Sequence, residues 1–88
     1  MRTVLIVLFD GVQSLDVTGP LEVLSTASRQ RADRDSAPGY AITTASLGAA
    51  AVRTTSGLGL LPDADLAAVR DAPDLMIVPG GEGARRRD

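Results

Sequence analysis

Three residues of this sequence have the type and surroundings to take part in chemistry: Asp16, Gly80 and Gly81. Asp16 precedes Val17, the first residue of an apolar stripe with helical spacing, so its carboxylate is expected beside the apolar flank of a helix. A carboxylate in that position can share a proton with a neighbouring nucleophile. The alternative is an aspartate that only interacts with the positive end of the helix dipole.

Gly80 and Gly81 follow a short apolar run, Leu75–Val78, and a proline. After a buried strand, glycines let the backbone come close to a ligand, and their N–H groups can donate to an oxyanion. The same Pro-Gly-Gly sequence can also be a plain turn. From the residues alone, both interpretations of Asp16 and both interpretations of the Pro-Gly-Gly turn stay open.

A strand and a helix must position Asp16. Six continuous apolar residues, Val4–Phe9, end at Asp10-Gly11, which predicts a central strand of a parallel sheet, buried on both faces. Ser14 is the expected cap of the following helix, and Pro20 predicts a kink or a restart near Thr18 because it lacks an N–H donor. The buried stripe of this helix is predicted to contain Val17, Leu21, Leu24 and Ser28, with Val23 and Ala27 beside it.

The remaining segments predict further strands that alternate with helices. We expect an exposed connection at 29–39, a parallel strand at 40–46, an edge hairpin of 52–54 and 56–62, a brief helix at 63–70, a last strand at 75–78 and a new helix from 84. This alternation implies an α/β fold, a flavodoxin-like three-layer sandwich with a parallel sheet covered on both faces. Because 88 residues allow one domain at most, only the N-terminal half of such a sandwich is expected.

The composition excludes several kinds of site. The sequence has no cysteine and no histidine, which removes disulfides, thiolate and imidazole metal ligands and the usual general base. No metal and no cofactor are predicted. Gly81-Glu82-Gly83 starts like a dinucleotide fingerprint, but Arg86 stands where the third glycine belongs.

Charge and hydropathy bound the partners and the location. The net charge is −2, and the one basic cluster, Arg85–Arg87, is expected to be the solvated first turn of a helix, so no nucleic acid is expected to bind through this segment. The apolar run Val4–Phe9 is too short to span a membrane, and a cytoplasmic location is expected.

Three stretches together resemble the DJ-1/PfpI superfamily, which has a class I glutamine-amidotransferase-like fold: VLIVLFDGVQSLDVTGPLEVLSTAS, YAITTASLGAAAVRTTSGLGLLPDADL and DLMIVPGGEGAR. The resemblance runs from about Val4 to Arg85. It is closest to the N-terminal ligand domain of AraC-type transcriptional regulators of the GlxA kind, and nearly as close to isonitrile hydratase. It implies that residues 1–88 are a partial domain of this type.

The resemblance also implies roles for single residues. Asp16 matches the family's active-site acid, which hydrogen-bonds a nucleophilic cysteine, and Gly81 matches the oxyanion-hole glycine, with Gly80 shaping the turn. The resemblance thus implies a ligand pocket lined by Asp16, Gly80 and Gly81, without a complete catalytic set. The nucleophile belongs on an elbow after the next strand, which these 88 residues lack. The expected function is therefore a ligand-sensing fragment of an AraC-type regulator that is not catalytic by itself and whose full-length parent is a homodimer. The alternative is a fragment of an isonitrile hydratase-like or other cysteine-dependent enzyme.

Overall fold

The computed structural model of the chain describes residues 2–33 and 39–81. The helix predicted from Ala84 and the Arg85–Arg87 cluster lie outside these ranges, as does part of the predicted connection. The elements, in chain order, are β1 (Arg2–Val7), α1 (Ser14–Asp33), β2 (Tyr40–Ser46), β3 (Val52–Arg53), β4 (Gly59–Leu60), β5 (Ala64–Asp65) and β6 (Leu75–Ile77). Two 3-10 turns lie at Leu47–Ala49 and Leu66–Ala68.

Four of the strands form a parallel sheet in the order β5-β2-β1-β6. β1 lies between β2 and β6, with Val4 opposite Ile42 on one side and opposite Leu75 on the other. β3 and β4 pair antiparallel in a separate hairpin. The predicted α/β class, parallel sheet and hairpin are therefore confirmed, but the hairpin is a separate two-stranded sheet and not an edge of the parallel one. β1 is the expected inner strand, although it begins and ends two residues earlier than predicted.

The main core lies between α1 and one face of the sheet. Its buried members are all aliphatic: Val4, Ile6, Leu8, Val12, Val17 and Val52. Leu21 and Leu24 of α1 pack against this cluster, as their helical spacing predicts. Val23 does not, because it is 68% exposed and faces away from the core. The predicted stripe is thus right for the positions that start at Val17 and wrong for Val23.

Pro20 does not interrupt α1. The helix is continuous from Ser14 to Asp33, so the restart predicted near Thr18 does not occur. Ser14 is its first helical residue rather than the cap before it. The apolar side chains of α1 pack on the sheet both before and after Pro20. This packing stabilises the helical turns on both sides of the proline and offsets the one hydrogen bond that it cannot donate.

The C-terminal end of α1 lies in the segment predicted as a connection. Arg29 is helical, and its guanidinium donates to Ser25 Oγ and Thr26 Oγ1 one turn earlier, at 3.0 and 3.2 Å. A polar stretch without glycine or proline does not end a helix, since exposed side chains satisfy one another along its surface.

Within the described residues, no helix is long and apolar enough to cross a membrane.

The prediction of a brief helix at 63–70 is wrong. Ala64–Asp65 form β5, which pairs with Ala45 and Ser46 at the end of β2. Only the 3-10 turn Leu66–Ala68 follows, and Asp65 Oδ1 caps it by accepting from the backbone N–H of Ala67 at 2.9 Å. Pairing along the open edge of β2 outweighs the local helix propensity, as tertiary context often does.

The second face of the sheet is only partly covered by the described residues. Leu5 of β1 points to this face and is buried, but its neighbour Met76 on β6 is 53% exposed. Val78 is 62% exposed, and β6 ends the strand order, so its outer edge is open among the described residues. The sheet was predicted to be covered on both faces, but the described residues cover only one face fully.

We expect the 88-residue chain to self-associate when it is produced alone, because an open edge strand with exposed apolar side chains can pair with another chain. Sedimentation velocity at micromolar concentration should show species larger than a monomer. Met76→Lys should shift the distribution toward monomer, since a charge on an edge strand opposes pairing. Ala67→Lys adds the same charge at an exposed turn and should leave the distribution unchanged. A cooperative monomeric wild-type chain would contradict this expectation.

Candidate ligand site

The candidate site lies where the loop after β1 meets the turn after β6. Both segments leave the carboxyl ends of neighbouring parallel strands, which is where open α/β sheets commonly bind ligands. The backbone N–H of Gln13 donates to the carbonyl of Gly80 at 2.9 Å, and Val12 and Gly81 form an isolated antiparallel bridge. The Pro-Gly-Gly turn is therefore fixed to the β1–α1 loop.

Asp16 lies in the first turn of α1 and is half-buried. A Cβ atom on residue 80 would lie 2.9 Å from Asp16 Oδ2, closer than real Cβ contacts. The carboxylate thus occupies the space beside Gly80 that any side chain would need. The structure brings these two predicted site residues into direct contact.

Gly81 is held by backbone on one side. Its φ is +153°, and a Cβ there would collide with the carbonyl oxygen of Gly11 and lie 2.7 Å from Val12 Cα. Only a residue without a side chain permits this approach between the turn and the loop. This packing requires glycine at position 81 whether or not a ligand binds there, so the oxyanion-hole role of Gly81 stays a prediction.

Asp16, Gly80 and Gly81 form what we call the ligand wall, and three of its polar groups have no hydrogen-bond partner among residues 2–33 and 39–81. The Asp16 carboxylate accepts no hydrogen bond there, and the N–H groups of Gly80 and Gly81 donate none. Gly80 is exposed and Gly81 is half-buried. The wall therefore presents a negatively charged acceptor next to two amide donors.

The β3–β4 hairpin supports the loop from its other side. The N–H of Gly11 donates to the carbonyl of Arg53 at 2.9 Å, and the N–H of Thr55 donates to the carbonyl of Val12 at 3.0 Å. Asp10 Oδ1 accepts from the backbone N–H of Arg53 at 3.0 Å. The loop that contacts Gly81 is thus fixed on two sides, so the position of the wall is defined by backbone contacts.

Asp10 is the residue of this region that the sequence analysis missed as a contributor. Asp10 could have been found from its position directly after a buried apolar strand, because functional and supporting polar residues often follow the carboxyl ends of parallel strands. Glu22, six residues after Asp16 on α1, is exposed. Within the described ranges, acidic side chains do not gather in groups of three that could hold a metal ion.

Residues 2–87 match the model of the DJ-1/PfpI family. The chain belongs to this family. The match covers the β1–α1 loop, the hairpin and the Pro-Gly-Gly turn, so it includes every segment of the candidate site. The resemblance inferred from the three sequence stretches is thereby confirmed at the level of the family.

Solved structures agree with a DJ-1/PfpI fold. Toxoplasma gondii DJ-1, in its oxidized form, superimposes with a TM-score of 0.76 at 19% identity, over 94% of this chain and 40% of that one. Drosophila melanogaster DJ-1beta has a TM-score of 0.67 at 25% identity, over 93% of this chain and 39% of that one. The flavodoxin-like α/β architecture is therefore shown.

A protein relative is also found among curated sequences. An uncharacterized protein of Streptomyces lividans, encoded in the 5' region of cpoL, is 35% identical over 79 residues. The alignment covers 90% of this chain and 51% of that protein. The chain thus spans about half the length of this relative and about two fifths of the two solved structures.

Proposed function

We propose that residues 1–88 are the N-terminal part of a DJ-1/PfpI domain that binds a small-molecule ligand in an AraC-type transcriptional regulator of the GlxA kind. The observation that carries the ligand site is the Asp16 carboxylate seated against Gly80, next to the N–H groups of Gly80 and Gly81, which donate no hydrogen bond to the described residues. An acceptor and two donors in one wall suit a small polar molecule that has both a donor and an anionic or carbonyl group.

Residues 1–88 cannot by themselves carry out covalent catalysis. They contain no cysteine and no histidine, so none of them can serve as the thiolate nucleophile or the imidazole base of a covalent reaction. In the proposed regulator, Asp16 acts as a ligand acceptor rather than as the partner of a nucleophile. No cofactor is proposed. The full-length regulator is proposed to be a cytoplasmic homodimer that contacts DNA through a module outside these residues.

The second candidate is a part of an isonitrile hydratase-like or another cysteine-dependent DJ-1/PfpI enzyme. It is favoured by the same contact, because an acid beside a glycine amide is suited to hold a proton next to a developing oxyanion. The complete reading frame separates the two candidates. A second domain with a helix-turn-helix supports the regulator, and a single domain with a cysteine elbow supports the enzyme.

The ligand site is tested by binding. A panel of small amines, carboxylates and zwitterions is screened against the full chain by thermal shift, and one hit is then measured by isothermal titration calorimetry. Asp16→Ala should weaken that hit about 10-fold or more, since it removes a charged acceptor. Gly80→Ala should weaken it as well, because the added Cβ displaces the carboxylate.

Asp71→Ala provides the matched control for this measurement. Asp71 is an exposed aspartate at the other end of the sheet, close to Thr3 and Pro73. Its removal changes the net charge as Asp16→Ala does but leaves the wall intact, so affinity should stay within about twofold. Equal affinity of Asp16→Ala and wild type would contradict the proposed site, as would an equal loss in Asp71→Ala.

A further inference from the structure

Two strands of the parallel sheet, β5 and β6, each follow a Pro-Asp dipeptide, and both aspartates bind a threonine of the neighbouring strand in the same way. Before β6, Asp74 Oδ2 accepts from Thr3 N–H at 2.7 Å and from Thr3 Oγ1 at 3.3 Å. In return, Asp74 N–H donates to the carbonyl and to Oγ1 of Thr3, at 2.9 and 3.1 Å. We call this reciprocal set of bonds a clasp.

The clasp before β5 has the same bonds. Asp63 Oδ2 accepts from Thr44 N–H at 3.0 Å and from Thr44 Oγ1 at 3.1 Å. Asp63 N–H donates to the carbonyl and to Oγ1 of Thr44, at 2.9 and 3.0 Å. The chain therefore contains two matched clasps, one in front of each outer strand of the sheet.

Each clasp lies one residue before strand pairing starts. Thr3 and Asp74 precede the pair Val4 and Leu75, and Thr44 and Asp63 precede the pair Ala45 and Ala64. A slip of β6 by one residue would place Asp74 opposite Arg2 or Val4, neither of which has a hydroxyl, so both hydroxyl bonds of that clasp would be lost. The clasp thus selects one register, which short strands need because a slip of one residue turns every side chain to the other face.

The register of β6 decides where the ligand wall lies. β6 has three residues, and Gly80 follows three residues after its end. A slip of one residue would move the turn by about 3.3 Å, and this would break the 2.9 Å bond from Gln13 N–H to the carbonyl of Gly80. It would also remove Gly80 from its contact with Asp16.

We propose that Asp74 is a positioning residue for the candidate ligand site, acting through the clasp with Thr3 at the opposite end of β6. The clasp fixes the register of β6 and thereby places the Gly80 and Gly81 amides beside Asp16. Asp63 and Thr44 fix β5, which does not lead to the wall. The proposal rests on the proposed function only in the use it assigns to the wall; the positioning itself is measured without a ligand.

The test is hydrogen exchange at the Gln13 amide, followed by NMR in the full chain, because this N–H is bonded to Gly80. Asp74→Ala should raise its exchange rate about 10-fold or more relative to Asp63→Ala, since loss of a charge-assisted bond set frees the turn. Asp63→Ala removes an equivalent clasp and serves as the matched control. Asp74→Asn keeps an acceptor oxygen and should restore protection to within about threefold of wild type.

Equal exchange rates at Gln13 in Asp74→Ala and Asp63→Ala would overturn the proposal, because both changes would then act only through general stability. Failure of Asp74→Asn to restore protection would overturn it as well. If Asp74→Ala does not fold, Thr3→Val and Thr44→Val form the matched pair, each losing one hydroxyl of a clasp. Protection of Gln13 in Thr3→Val equal to that in Thr44→Val would again count against positioning. Ligand affinity does not enter this measurement, so the proposed function can fail independently.

Discussion

Gly81→Ala is expected to lower the free energy of unfolding by about 3 kcal/mol, because it combines a strained backbone with a collision in a packed region. The added Cβ would meet the carbonyl oxygen of Gly11 and approach Val12 Cα and Gln13 N at 2.7 and 2.8 Å. All three are backbone atoms of the β1–α1 loop, so no side-chain rotation can relieve the contact. Urea denaturation followed by circular dichroism measures the loss.

Gly57→Ala is the control for the backbone conformation alone. Gly57 also has a positive φ, +92°, but a Cβ there would meet nothing within 4 Å. We expect this variant to lose only the conformational cost, about 1 kcal/mol. A loss in Gly81→Ala no larger than that in Gly57→Ala would mean that the turn and the loop do not pack as closely as described. The assembly of the ligand wall would then need another explanation.

Ile6→Ala is expected to lower the free energy of unfolding by about 3 to 4 kcal/mol. Ile6 is 0% exposed, lies on the inner strand β1 and packs under α1 in the main core. Its removal leaves a cavity between the strand that leads to the loop and the helix that holds Asp16. Since the fold is small, this loss can exceed the total free energy of unfolding. Ile6→Val should lower that free energy by only about 1 kcal/mol, so it provides a milder variant for the same urea measurement.

Leu61→Ala deletes a similar number of atoms from a position that is 82% exposed. It should change the free energy of unfolding by no more than about 0.5 kcal/mol. Comparable losses for Ile6→Ala and Leu61→Ala would be incompatible with a core centred on β1. The pair therefore separates burial from a general effect of losing aliphatic side chains.

Periodicity was sufficient to predict the elements that carry the core. The continuous apolar run after Thr3 predicts an inner parallel strand, and the spacing of Val17, Leu21 and Leu24 predicts the face of α1 that packs on it. Both signals are local, because each depends on residues within one element. The Pro-Gly-Gly turn was likewise visible in the sequence, and the family resemblance joined it to Asp16.

The features that escaped prediction depend on pairing between distant residues. β5 has two residues, and no local pattern distinguishes it from the start of a helix; only the open edge of β2 makes it a strand. The bonds between Thr3 and Asp74 join residues 71 positions apart. The contact of Gly81 with Gly11 has the same origin, since backbone packing leaves no trace in residue type except the glycine itself.

The described aspartates differ in whether their carboxylate accepts a hydrogen bond from a backbone N–H group. Asp10, Asp63, Asp65 and Asp74 accept backbone N–H groups at 2.7 to 3.0 Å, far inside the Debye length of about 8 Å at physiological ionic strength. Dissolved salt therefore has little effect on the bonds that set the strands in register. Asp16 accepts no such bond among the described residues, so its attraction for a charged ligand would act across solvent, where salt screens it. Ionic strength should thus tune the capture of a charged ligand while the sheet beneath it stays unaltered.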